Sequence, residues 1–235
     1  MDSLEITRLK MLISKLNELS ISMVREKNID TLIQKILYES IELTNSDGGS
    51  IYLVEENQGI KNLVIKYSIN HSINFKFVGH HIPIDNNSIV GYVAKTAKPI
   101  IINNTEEEND FDFKIQKSYD QELNYKTLNI MTIPMIDYRD RVIGVLQVLN
   151  KKKNKQTKLT LQNIYDNICY YNQEDKEICM ALSSQATVLI DRLVVYNQME
   201  KNIANTRYAL ISLFNSLRNV ISNLAEDLLI EQETS

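Results

Sequence analysis

Residues 130–151 read IMTIPMIDYRDRVIGVLQVLNK, and this stretch decides the fold class. Two runs rich in β-branched residues, Ile130–Ile136 and Val142–Leu149, flank the polar turn Asp137-Tyr138-Arg139-Asp140, which is the pattern of a central hairpin in an antiparallel sheet. Towards the N-terminus, Ser50–Val54, a polar turn holding Gly59 and Leu63–Tyr67 predict a second hairpin. Phe75–Val78 and Ile82–Ile84 predict further strands. Gly91 lies in a short apolar run, Ile89–Ala97, closed by Pro99 before Ile100–Ile102, so a compact helix links two strands there. Residues 103–126 are expected to form a lid.

Helices flank the strands. Leu9, Leu12, Leu16, Leu19 and Met23 share one stripe, and Asp30 is expected to cap a second helix carrying Leu32, Ile33, Ile36, Leu37 and Ile41. Beyond the hairpin, Leu182, Leu189, Tyr196, Ile203, Leu210, Leu217 and Leu224 recur at heptad spacing. A second series runs Ala186, Leu193, Glu200, Arg207, Phe214, Ile221 and Leu228, with two polar members at its middle. From about Glu174 to about Glu231 this predicts a long coiled-coil-like helix whose apolar partner lies on another chain or domain. The alternative is two core helices broken near Asn202–Asn205. The predicted fold is α+β: an antiparallel sheet of about six strands, the N- and C-terminal helices on one face, and a ligand pocket under short helices on the other. The predicted organisation is a signalling or dimerisation helix over 1–28, a globular domain over 29–200 and a helical extension over 201–235.

Composition narrows the function. In 235 residues, 43% are hydrophobic and 24% charged, and a formal net charge of -4 offers no general attraction to nucleic acid or anionic membrane. No apolar run approaches the ~20 residues of a bilayer span, and Met1-Asp2-Ser3-Leu4-Glu5 lacks the order of a signal peptide. Cys169 and Cys179 are too few for a disulfide framework, so a cytoplasmic setting is expected. Catalysis has no visible apparatus: His71, His80 and His81 lack a helical metal-ligand spacing, and there is no phosphate loop or nucleophile elbow. The acidic run Glu106–Asp112 lacks the spacing of a calcium loop, so no metal is expected. In the basic run Lys151–Lys155 only Lys151 is assigned a role.

Three stretches carry a resemblance: Ser88–Ile102 (SIVGYVAKTAKPIII), Tyr125–Met135 (YKTLNIMTIPM) and Arg141–Lys151 (RVIGVLQVLNK). In order and spacing, across about residues 25 to 200, they resemble the GAF domain family. The nearest likeness is to bacterial cyclic-nucleotide-binding GAF domains that precede HD-GYP phosphodiesterase or nucleotide cyclase output domains. Binding members of that family carry Asn-Lys, a spacer, then Phe-x-x-x-Asp; here Asn150-Lys151 is followed by Tyr171 and Asp175, with tyrosine for phenylalanine and a longer spacer, 152–170. The resemblance implies that Lys151 and Asp175 pair to brace the pocket without touching ligand. It also implies ligand contacts from Ser50, Ile89, Val90, Asp120, Thr127 and Gln147, while Leu123 stands where some members carry a lid threonine.

The chemistry of these residue types is compatible. Main-chain amides opening the Ile89 helix form an anion site suited to a cyclic phosphate. Ser50, Thr127 and Gln147 offer donors and acceptors to a purine, and Tyr67, Tyr92 and Tyr125 offer stacking faces; alternatively, these tyrosines and Thr127 are core and sheet residues. The neutral Gln147 amide can accept from the adenine amino group and donate to a ring nitrogen, where a carboxylate only accepts. The same amide can flip for guanine, so it is the bacterial likeness that favours cyclic AMP (cAMP) over cyclic GMP (cGMP). The expected protein is a non-catalytic sensor, a parallel homodimer acting on an output domain in cis or on a partner protein. The alternative is a GAF module that binds another small molecule, or none, and only dimerises.

Overall fold

The computed structural model describes residues 3–74, 79–108, 111 and 120–233; the strand expected at Phe75–Val78 lies outside them. The order of elements is α1 (Ser3–Val24), α2 (Ile29–Thr44), β1 (Ser46–Asn57), β2 (Ile60–Asn70), β3 (His81–Pro83), α3 (Ile89–Thr96), β4 (Ile100–Ile102), β5 (Ile130–Ile136), β6 (Val142–Lys151), α4 (Ile164–Asn167) and α5 (Gln173–Glu233). Among the described residues, six strands form one sheet in the order β3-β2-β1-β6-β5-β4, and every neighbouring pair is antiparallel. By contacts the chain divides into two units, Met1–Asp191 and Arg192–Ser235.

Helix α2 starts two residues earlier than its acidic residue suggested. Asn28 has extended backbone and its side chain accepts from the Thr31 N–H at 3.1 Å, so it is the cap, while Asp30 sits in the first turn and faces the positive end of the helix. Substitution Asn28→Ala is therefore expected to lower stability by about 1 kcal/mol, read as a lower urea midpoint at unchanged slope. The α2 stripe Leu32, Ile33, Ile36, Leu37 and Ile41 is buried. Leu37 comes within 3.1 Å of where a Gly49 side chain would begin, so α2 lies on the face of β1 shared by Gly49 and Ile51. A cluster of Leu19 from α1 with Ile178 and Leu182 from α5, joined by Leu43 of α2, adds the terminal helices on that side. Ser20 of α1 also donates to Gln185 of α5 at 2.9 Å.

Helix α3 covers the opposite face. Ser88 caps it, accepting from the Gly91 N–H at 3.1 Å, and Ala97 ends it in the left-handed region. Ile89, Val90, Val93 and Ala94 pack with Tyr52, Leu63, Ile65, Ile130 and Val145. Gly91 permits this seat, because a Cβ there would fall 2.6 Å from the Pro83 carbonyl oxygen.

Helix α5 is continuous for 61 residues, so the break considered near Asn202–Asn205 does not occur. Part of it is long and apolar enough to cross a bilayer, yet half of that window is buried. Ile178, Leu182, Ala186 and Ile190 supply much of that apolar character and belong to the core of the first unit. In the second unit, Tyr196, Ile203, Leu210, Phe214 and Leu217 of the heptad series are each more than half exposed in a single chain.

Candidate functional site

The register of the sheet assembles a polar row on the α3 face. Ser50 of β1 stands opposite Ser68 of β2 and Gln147 of β6, and Gln147 stands opposite Thr132 of β5. Ser50 shares a face with Tyr52, two residues along the strand, and Tyr52 packs against α3. Gln147 Nε2 donates to Thr132 Oγ1 at 3.1 Å, and the Tyr52 hydroxyl donates to Gln147 Oε1 at 3.4 Å. The amide of Gln147 is thus held among hydroxyls that can each donate or accept. Ser68 and Thr132 join the row unforeseen. Thr132 is the one polar residue inside the Ile130–Ile136 run, and that interruption was the available signal.

Above the row, Ile89 and Val90 are buried in the α3 cluster. Their side chains are therefore spent on packing, and what they can offer an anion is main-chain N–H at the helix start, where the Ser88 cap takes the Gly91 amide. Asp120 and Thr127 form one capped turn: Asp120 Oδ2 accepts from the Thr127 N–H at 2.8 Å and Oδ1 from the Thr127 hydroxyl at 2.9 Å. Thr127 is buried, and its carbonyl accepts from the Thr105 hydroxyl at 2.7 Å.

Two tyrosines do not serve as stacking faces. A bulge in β2 makes Tyr67 the partner of Ile51 while Ile65 pairs with Tyr52, so Tyr67 falls on the α2 face, across the sheet from the row. Tyr125 is buried with its hydroxyl donating to Asp47 Oδ2 at 2.7 Å and accepting from Asn150 Nδ2 at 2.8 Å. Burial first, then the Asp47 carboxylate, push its phenol well above the ordinary range, so it stays a neutral anchor. Tyr92 is half-buried and meets Phe111 edge-on, with ring centres 5.2 Å apart.

The brace forms across the long spacer. Lys151 pairs with Asp175 although 24 positions separate them. The same Asp175 accepts from the Asn172 N–H at 2.8 Å, and Asn172 Oδ1 accepts from the Asp175 N–H at 3.0 Å, a reciprocal cap on α5. Asn150, in the left-handed region, accepts from the Leu128 N–H at 2.8 Å and donates to the Lys126 carbonyl at 2.8 Å. The Tyr171 hydroxyl shares a 2.7 Å hydrogen bond with Ser46, and burial raises its pKa well above the usual phenol value.

The spacer is itself locked down by Asp47. Its Oδ1 meets Lys152 Nζ at 2.9 Å, with both side chains almost wholly buried, and accepts from the Ser72 hydroxyl at 2.8 Å. Ser72 in turn accepts from the Leu159 N–H at 2.7 Å, and Lys152 donates to the Thr157 carbonyl at 3.0 Å. One carboxylate therefore holds the spacer's beginning and middle and, through Tyr125, the end of the lid segment. Nothing local in the sequence announced that hub.

Two cavities, of about 430 and 450 Å³, open elsewhere in the first unit, one beside Asn104, Leu128, Lys153, Tyr165 and Cys169, the other beside Tyr38, Glu42, His71, Lys152 and Lys158. Neither is lined by a residue expected to touch ligand. Among the described residues no group of three or more His, Cys, Asp or Glu side chains is placed to hold a metal ion.

Comparisons with known proteins agree with this fold. The GAF domain family profile matches residues 26–191. The cGMP-specific 3',5'-cyclic phosphodiesterases of Drosophila virilis and Drosophila melanogaster are each 30% identical over 141 residues, which is 57% of this chain but 15% and 12% of those proteins. The chain thus spans under a sixth of their length. Among solved structures, the GAF domain from Acinetobacter phosphoenolpyruvate-protein phosphotransferase superposes with a TM-score of 0.59 at 17% identity, covering 80% of this chain and 98% of that one. The GAF domain/HD domain protein from Geobacter sulfurreducens gives 0.51 at 12% identity, covering 77% and 98%. At these identities the likeness is one of fold.

Proposed function

Because this chain belongs to the GAF domain family, we propose that it is a regulatory sensor, without catalysis of its own, that binds a cyclic nucleotide between the α3 start and the polar row of the sheet. The observation that carries the reading is the Lys151–Asp175 pair: the spacer is folded away under Asp47 so that the two motif residues still meet. In this proposal the Ile89 and Val90 amides face the phosphate, Ser50 and Gln147 face the purine, and Thr127, held by Asp120, closes over it. The protein works in the cytoplasm as a homodimer, with copies joined along the exposed heptad residues of α5 and the signal passed to an output domain in cis or on a partner.

The Gln147 amide can serve either purine by flipping, and it is the likeness to bacterial GAF domains that favours cyclic AMP. The cGMP-specific name of the Drosophila relatives favours cyclic GMP. Titration calorimetry with both nucleotides is the test. Tighter cyclic AMP supports the first choice and tighter cyclic GMP reverses it; no binding of either leaves a module that takes another small molecule, or none, and only dimerises. If Thr127 closes the site, Thr127→Ala is expected to weaken the bound nucleotide by about 1 to 2 kcal/mol, roughly five- to thirty-fold.

A further inference from the structure

Asn103, the residue after β4, binds main chain as a strand would. Its Oδ1 accepts from the Tyr171 N–H at 2.8 Å and its Nδ2 donates to the Tyr171 carbonyl at 3.2 Å. A carboxamide carries the donor and acceptor of a peptide group. Tyr171 is thereby clasped beside β4, which ends the sheet on that side among the described residues. Its ring end is fixed to Ser46 at the root of β1. Two residues later α5 begins, with its start defined by the Asn172–Asp175 cap.

Asn103 also stands two residues before Thr105, and Thr105 and Glu106 are bonded to the residues that lead into β5. The Thr105 hydroxyl donates to the Thr127 carbonyl at 2.7 Å, the Thr105 N–H to the Leu128 carbonyl at 2.9 Å, and Glu106 pairs with Lys126. A displacement of Thr127 therefore reaches Thr105, and through two peptide units Asn103, and through the clasp the residue that leads into α5. The Lys151–Asp175 pair touches α5 too, but it runs back to β6 at the centre of the sheet.

We propose that Asn103 is the coupling residue between Thr127 and α5: a positioning residue that acts on the helix start through the Tyr171 main chain, its clasp made when Thr105 and Thr127 are bonded and released when they are not. This rests on the sensor reading, since coupling has meaning only if ligand distinguishes the two states. The test uses amide hydrogen exchange on the full chain, first without nucleotide. Asn103→Ala is expected to quicken exchange of the Tyr171 and Lys176 amides at least tenfold while Ile51 and Leu146 stay unchanged. Asn103→Asp, which keeps the acceptor and loses the donor, is expected to fall between. Thr105→Val, which cuts the bond to Thr127, is expected to quicken Tyr171 at least threefold with Asn103 present and to add nothing in the Asn103→Ala background.

Unchanged exchange at Tyr171 and Lys176, equal quickening at Ile51 and Leu146, or additive effects of the two substitutions would each overturn the coupling. In the second arm, saturating cyclic AMP or cyclic GMP is expected to slow Lys176 exchange in the parent chain. In Asn103→Ala the nucleotide should bind within threefold of the parent affinity without that slowing; equal slowing in both chains overturns the proposal. A parent chain that binds neither nucleotide defeats the sensor reading alone, because the nucleotide-free arm still decides whether the clasp couples.

Discussion

Replacing Lys152 by methionine is expected to be among the most damaging single changes, costing about 3 to 5 kcal/mol of stability. The substitution keeps the buried volume but removes the cation that faces Asp47, whose side chain has no exposure to water. An ionised carboxylate left in such a place loses its Coulombic partner and cannot recover solvation, which is why breaking one half of a buried pair costs more than never having had it. Urea unfolding followed by circular dichroism measures the effect. The double variant Asp47→Asn with Lys152→Met should recover part of the loss, since no charge then remains to desolvate. A single variant within about 1 kcal/mol of the parent would show that water reaches Asp47.

Ending the chain at Asn202 is expected to raise the dimer dissociation constant at least a thousandfold, about 4 kcal/mol. The truncation removes the heptad positions from Ile203 to Leu228. Burying even three large apolar side chains is worth roughly 1.5 to 3 kcal/mol each, so the estimate is a lower bound. Light scattering across a dilution series tests it. A full chain that stays monomeric at every concentration, or a shortened chain that dimerises as tightly, would remove α5 from the assembly. The first unit should survive the cut, because its buried α5 residues Ile178, Leu182, Ala186 and Ile190 all precede it.

Much of the architecture was legible because it rests on local periodicity. The β-branched apolar runs of β5 and β6, the stripe of α2 and the short helix beginning at Ile89 all show in residues that lie close in the chain. What was misplaced depends on register. The bulge that makes Lys66 an extra residue in β2 moves Tyr67 to the other face, and a period of two read along one strand carries no notice of it. The same limitation hid Ser68 and Thr132, which gain meaning only once four strands are aligned.

The polar architecture was the least legible. Asp47 and Lys152 lie far apart in sequence, and each looks like an ordinary surface charge until β1 and the spacer are brought together. Asn103 and Asn150 are likewise unremarkable asparagines whose amides bind main chain from other segments. Lys151 and Asp175 were found beforehand only through the family motif, since no spacing rule relates positions so far apart.

The sheet is longest at its middle and shortest at its rims. β1 and β6 run for 12 and 10 residues, while β3 and β4, at the two edges among the described residues, have three residues each. Among the described residues, β3 and β4 themselves present few N–H and C=O groups to a foreign strand. Beside β4, the Asn103 amide binds the Tyr171 main chain as well. The consequence is one for aggregation: these edge strands are small templates for fibril-like stacking of copies, and the exposed heptad residues of α5 are the larger apolar surface.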